Sequence, residues 1–169
     1  MNKSLLLCFC IIFLFTACKK NADTPAEAPA NSATAVVTGL NADLMLKLVN
    51  NKRKSGCNCG STFMPAVNPL TWNDLLASAA LAHSKAMNVN NFFSHTSLNG
   101  ASAGDRITAA GYKWNTYGEN IAAGQPTEQA VFDAWIASEG HCKNIMAANF
   151  KEMGAAKDGK YWTQDFAAR

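Results

Sequence analysis

The chain has 169 residues, of which 49% are hydrophobic and 16% charged, with a formal net charge of +3. This supports one domain with one core, and excludes a nucleic-acid-binding role, which needs a broad basic face with reading or stacking residues. The one basic cluster of the domain, Lys52-Arg53-Lys54, reads as a solvated surface run.

Residues 1–17 read as a targeting segment. Lys3 supplies the positive start, and Leu5 to Phe15 is an apolar run too short to span a bilayer. Thr16-Ala17-Cys18 resembles a bacterial lipoprotein processing site, at which Cys18 becomes the lipidated first residue; the alternative is an ordinary secretory signal. Residues 18–39, rich in Ala, Pro, Thr, Asn and Ser without apolar periodicity, read as a tether to a domain of residues 40–169. Of the six cysteines, Cys8 and Cys10 leave with the signal and Cys18 carries the anchor. Cys57, Cys59 and Cys142 then face a compartment that permits disulfides, with one bridge and one leftover thiol. A Cys-x-Cys pair with no second cluster is a poor structural zinc site.

Within the domain, Leu40, Leu44, Met45, Leu48 and Val49 repeat at helical spacing around the N-cap Asn41, and the pattern ends at Ser55-Gly56. Gly60, Pro65 and Pro69 predict a loop from Cys57 to Pro69. Asn73 caps the longest helix, with Leu75, Leu76, Ala79, Ala82, Ala86 and Met87 as its stripe and Trp72 as a staple. His83 on that helix reads as a core residue rather than a ligand. Phe92 and Phe93 are expected to be core anchors that hold His95, and Asn99-Gly100 marks a turn.

Ser102 and Asp105 form a capping-box pair opening a short helix that closes at Gly111, and Arg106 on it is a candidate ion-pair partner. Thr127 caps a further helix with Val131, Ala134, Trp135 and Ser138 on one face. If that helix runs to Gly140, Ser138 and His141 project from the same side. Asp158-Gly159 between Met153–Ala156 and Tyr161–Phe166 predicts a closing hairpin. Helices early and an antiparallel pair last argue for an α+β sandwich rather than alternating βαβ units.

The residue that most needs an account is Glu119, in Tyr117-Gly118-Glu119-Asn120-Ile121-Ala122-Ala123. A carboxylate among small and apolar residues requires compensation, and His95 and His141 are the available partners. Beside an ionised Glu119, each imidazole is expected to be pushed toward its charged form.

Phe93-Ser94-His95-Thr96, Asp105-Arg106-Ile107, Ala110-Gly111-Tyr112, Gly118-Glu119-Asn120-Ile121-Ala122, Trp135-x-x-Ser138-x-x-His141, Asn144-Ile145-Met146 and Tyr161-Trp162-Thr163-Gln164-x-Phe166 occur in order over nearly the whole domain. Together they resemble the CAP superfamily of SCP-like extracellular domains. The resemblance implies a three-layer α-β-α sandwich with a central antiparallel sheet, further strands coming from Tyr112–Tyr117 and the Gly118–Ala123 region. It implies a cleft in which His95 and Glu119 match the first histidine and the Gly-Glu-Asn-Ile glutamate, and His141 matches the bacterial Ser-x-x-His signature. The chain departs from the eukaryotic pattern at Lys160, where a second histidine would precede the last strand. Glu139 lies one position beyond the second eukaryotic glutamate, near Ser138. The resemblance also pairs Cys59 with Cys142.

Three functions are compatible with this reading. The first is an envelope-anchored domain, periplasmic or cell-surface, bound to a membrane through lipid on Cys18. It would be non-catalytic, and its cleft would hold a divalent metal, a small molecule, a lipid or a peptide. His95, His141 and Glu119 are sound Zn2+ ligand types; the same cluster also fits a purely stabilising role. The second is a peptidase-like hydrolase with His95 or Glu119 as general base and Ser138 or a metal-bound water as nucleophile. Neither Gly-x-Ser-x-Gly nor His-Glu-x-x-His supports it. The third is an adhesion module with Trp72, Trp114 and Trp162 as surface anchors.

Overall fold

The structure, a computed structural model, describes residues 36–169. The signal segment, Cys18 and nearly all of the tether lie outside the described residues. From Ala42 onward the elements run α1 (Ala42–Ser55), β1 (Cys57–Cys59), β2 (Thr62–Met64), β3 (Thr71–Trp72), α2 (Asp74–Asn90), α3 (Ala103–Ala109), β4 (Thr116–Ala123), α4 (Glu128–Ala137), α5 (Glu139–Met146), β5 (Glu152–Asp158) and β6 (Tyr161–Ala168). Asn41, Asn73, Ser102 and Thr127 cap α1, α2, α3 and α4 through their side chains, each satisfying helix N–H groups that have no intrahelical partner.

One sheet has the order β3-β5-β6-β4, and the β1–β2 pair stands apart from it. β4, β5 and β6 are antiparallel, while two-residue β3 lies parallel to β5 at one edge. The β5–β6 hairpin is as expected, its strands reaching Asp158 and Tyr161. On β6, Trp162 and Phe166 pack into the core with α1, α4 and α5, whereas Ala167 packs with Leu76, Ala79, Ile107 and Tyr112 of the α2–α3 side. All eight residues of β6 are buried, as befits a strand covered on both faces. The result is the three-layer α-β-α sandwich.

α2 lies very close to the sheet. A Cβ on Gly154 of β5 would fall 2.1 Å from the backbone nitrogen of Ala77, so only glycine fits there. The buried stripe of α2 is Leu76, Ala77, Ala79, Ala80, His83, Ser84 and Met87, with Leu75 and Ala82 left exposed. On α4 the buried residues are Val131, Phe132 and Trp135, and Ala134 faces out.

Three further expectations are corrected. Cys57 to Pro69 is not simply a loop, because β1 and β2 form a short hairpin within it. Phe93 is no core anchor: it is exposed and stacked on Tyr161, while Phe92 is half-buried. Arg53 is not solvated surface but fully buried. Its Nε donates to Asn68 O at 2.8 Å, and its Nη1 to Ile145 O at 2.7 Å and Ala147 O at 2.9 Å. The guanidinium thus satisfies carbonyls at the end of α5, where the helix dipole favours a cation. Burial pulls its pKa down to about 10.

Candidate functional site

Edge strand β4 places Glu119 beside the loop between α2 and α3. Glu119 Oε1 lies 2.7 Å from His95 Nδ1, and Arg106 Nη2 donates to Oε2 at 2.5 Å. A carboxylate only accepts, so Nδ1 of His95 carries the proton and Nε2 is left facing outward. The Glu119 side chain is 3% exposed and that of His95 57%, so a buried acid holds an accessible imidazole from behind. Arg106 Nη2 also donates to His95 O at 3.0 Å, and Nη1 to Ser97 Oγ at 2.9 Å and Ala101 O at 3.1 Å. The ion-pair role expected for Arg106 is therefore met, and the residue also fixes the loop that carries His95.

His83 supports the same loop. It is fully buried on α2, and its Nε2 lies 2.8 Å from Ser94 O. Burial lowers its pKa, partly opposed by the charge of Glu119.

On the other side of β4, Asn120 Nδ2 donates to His141 O at 3.2 Å and to Gln164 Oε1 at 3.1 Å. Asn144 Nδ2 donates to Glu119 O at 3.1 Å and Asn120 Oδ1 at 2.9 Å. These bonds pin α5, and with it His141, against the strand bearing Glu119. The His141 ring itself is half-buried. Its pKa is lowered by burial and then by the charge of His95. The expected upward shift fails for His141 because both oxygens of Glu119 are already taken by His95 and Arg106.

Ser138 and His141 do not share a helical face. Ser138 has extended backbone (φ −91°, ψ 122°), ends α4 and starts α5. No hydrogen bond joins its hydroxyl to His141 among the described residues. Glu139 is exposed, pairs with Lys143 at 2.6 Å, and lies against Gly60 of the β1–β2 turn. Of the tryptophans, Trp162 is 1% exposed, Trp72 is half-buried, and Trp114 packs edge-on against Tyr117, so they form no common surface anchor.

Asp165 went unnoticed in the sequence. It sits opposite Glu119 in the β4–β6 register and therefore on the same face. The residue is fully buried, and neither carboxyl oxygen has a hydrogen-bond partner. Burial, and then the neighbouring charge of Glu119, hold its carboxyl well above the ordinary carboxylate range; Arg106 pulls weakly the other way. The available signal was its phase on β6: Thr163, Asp165 and Ala167 share the face toward α2.

Glu119 does not fit the ligand role expected for a Zn2+ ion. Both its oxygens are committed, and a cation there would meet the fixed charge of Arg106. His95 has the form of a metal-binding histidine, its ring held by a carboxylate on one nitrogen, and His141 lies near enough to feel its charge. Among the described residues, the set of three His, Cys, Asp or Glu donors lying within 4.8 Å of one another is Cys57, Cys59 and Cys142. Cys59 and Cys142 are joined as a disulfide, leaving one thiol.

The family model of the cysteine-rich secretory protein family, CAP, matches residues 46–166. The chain belongs to this family. It is 33% identical over 156 residues to the uncharacterized protein YkwD of Bacillus subtilis, covering 87% of this chain and 57% of that one. This CAP chain thus spans little more than half the length of that relative. Among solved structures, an extracellular protein containing an SCP domain from Bacillus anthracis superposes at a TM-score of 0.67 with 30% identity, over 76% of this chain and 40% of the other. An outer surface protein from Borrelia burgdorferi gives 0.64 at 20% identity, over 75% of this chain and 91% of its own, a likeness of fold. No helix among the described residues is long and apolar enough to cross a membrane. In this CAP domain the Gly-Glu-Asn-Ile segment faces two ways: Glu119 toward His95 and Arg106, Asn120 toward α5.

Proposed function

We propose that this chain is a CAP-domain lipoprotein of the bacterial cell envelope, anchored through lipid on Cys18, whose cleft binds a ligand without turning it over. The observation that carries the reading is the buried Glu119, locked by Arg106, presenting the exposed ring of His95. This is the construction of a fixed binding group, with no activated nucleophile beside it among the described residues. A divalent ion such as Zn2+ would be held by His95 and His141, where it would supply a Lewis-acid contact point for a ligand. Glu119 would act by orienting His95. A groove of about 570 Å³, lined by Ala86, Phe92, Leu98, Arg106 and Ala109 among others, adjoins the same loop and suits a small molecule, lipid or peptide side chain.

Zinc titration by calorimetry tests the metal reading. His95→Ala and His141→Ala are each expected to weaken binding at least tenfold, and Glu119→Gln roughly tenfold to a hundredfold through misorientation. Equal affinity in wild type and His95→Ala would remove the cleft as the site. Anchoring is tested separately: Cys18→Ala should release the protein from the membrane fraction, and its retention there would contradict the anchor.

A further inference from the structure

The disulfide has a third sulfur beside it. Cys57 is not bridged and is half-buried, and its Sγ lies 3.8 Å from that of Cys142. The strand explains the juxtaposition: Cys57 and Cys59 are two residues apart on β1, so both side chains leave the same face, toward Cys142 of α5. Cys57 therefore sits at contact distance from a disulfide sulfur.

We propose that Cys57 is an exchange thiol, and that the bridge to Cys142 is shared between Cys59 and Cys57. The Cys57 thiolate attacks Cys142 Sγ; the Cys57–Cys142 bond forms as the Cys59–Cys142 bond breaks. The electron pair leaves on Cys59, which takes up the proton that Cys57 released. The number of disulfides is unchanged, and no external oxidant or reductant is consumed.

A sulfur aligned with the breaking bond would sit roughly 6 Å from Cys59 Sγ. Cys57 lies within 4.8 Å of it, beside the bond rather than behind it. Exchange therefore proceeds by rotation of the Cys57 side chain or by a slide of β1 past α5. Because β1 and β2 form their own two-stranded sheet, such a slide breaks no hydrogen bond of the four-stranded sheet. α5 also carries His141, and its Asn144 is bonded to Glu119 O. Moving the bridge by two residues changes where the hairpin grips α5, while the bonds of Asn120 and Asn144 hold α5 to β4.

The test uses the full-length protein, incubated at acidic or mildly alkaline pH, acid-quenched, unfolded and alkylated with N-ethylmaleimide without reduction. Fragment ions between Cys57 and Cys59 then report which thiol carries the label. Label on Cys57 alone is expected after acidic incubation. Alkaline incubation is expected to raise label on Cys59 by about tenfold or more, since the thiolate is the attacking species. The Cys57–Cys142 cross-link should grow in proportion, and Cys57→Ser should abolish the Cys59 label. Label confined to Cys57 under both conditions overturns the proposal. A Cys59→Ser variant gives a second reading: oxidised with glutathione disulfide, it forms Cys57–Cys142 if the proposal holds, and retains two free thiols if it does not. Should that variant fail to fold, the wild-type labelling decides.

Discussion

Replacing Arg53 with methionine tests how α5 is held. The change keeps most of the side chain's length but removes all donors to Asn68 O, Ile145 O and Ala147 O. A buried acceptor left without its donor costs about 1 to 3 kcal/mol; the bond to Ile145 O is buried while those to Asn68 O and Ala147 O are half-buried and can regain water, so the gross loss is roughly 2 to 5 kcal/mol. Against this stands the relief of no longer burying a guanidinium that has no acid partner among its bonds, the cost that pulls its pKa down to about 10. The net expectation is a loss of about 2 to 3 kcal/mol, the lost carbonyl bonds outweighing the relief of charge burial. Urea unfolding with the disulfide intact gives the value as a lowered midpoint at unchanged slope. The loss should be the same at mildly acidic and neutral pH, because Arg53 stays charged throughout that range. A change within about 0.5 kcal/mol of wild type, typical of an exposed surface site, would refute the account of Arg53 as the pin of α5.

Gly154→Ala should lower stability by several kcal/mol or prevent folding, because the added carbon meets the backbone of α2; a melting temperature like that of wild type would show that the helix can move away. For Asp165 the folded pKa is raised, so the folded state holds a proton that the unfolded state gives up near pH 4. Stability should then fall as pH rises from the unfolded value through the folded one, and Asp165→Asn should remove that slope and stabilise the protein at neutral pH. An unchanged slope in urea-unfolding data across pH would contradict it. His141, with a lowered folded pKa, stays neutral where the unfolded imidazole charges, so its contribution is present above about pH 6.5 and is lost on acidification below it. An NMR titration placing His141 above the ordinary imidazole range would be the opposite of this expectation.

α1 to α4 were legible because their starts are written in single residues, Asn41, Asn73, Ser102 and Thr127, each capping where expected, whereas α5 starts at Ser138 without a side-chain cap and was not foreseen. The β5–β6 turn was legible for the same reason, through Asp158-Gly159. β4 was reached only through the family resemblance, which placed strand from Tyr112 onward, whereas the one strand there is Thr116–Ala123; helices lie on both sides of the sheet and its residues lack a two-residue alternation. Arg53 was misread because its partners are backbone carbonyls from distant segments, which leave no mark in the sequence. Ser138 was misjudged because the spacing of three residues to His141 holds only within a continuous helix, and the chain is extended at Ser138 itself. The pairing of Glu119 with His95 was legible from the need to compensate a buried acid. That need was met twice over, by His95 and Arg106, which is why His141 was left without Glu119 as a partner.

The central claim, that Glu119 orients His95 for binding, is tested most directly by the tautomer of His95 in the metal-free protein. A long-range proton–nitrogen NMR spectrum, recorded where the ring is neutral, distinguishes Nδ1–H from Nε2–H. The account predicts Nδ1–H for His95 in the wild type, with Nε2 carrying a free lone pair toward solvent. A neutral His95 protonated on Nε2 would mean that its lone pair points at Glu119 and that the cleft presents no acceptor nitrogen there, contrary to the account.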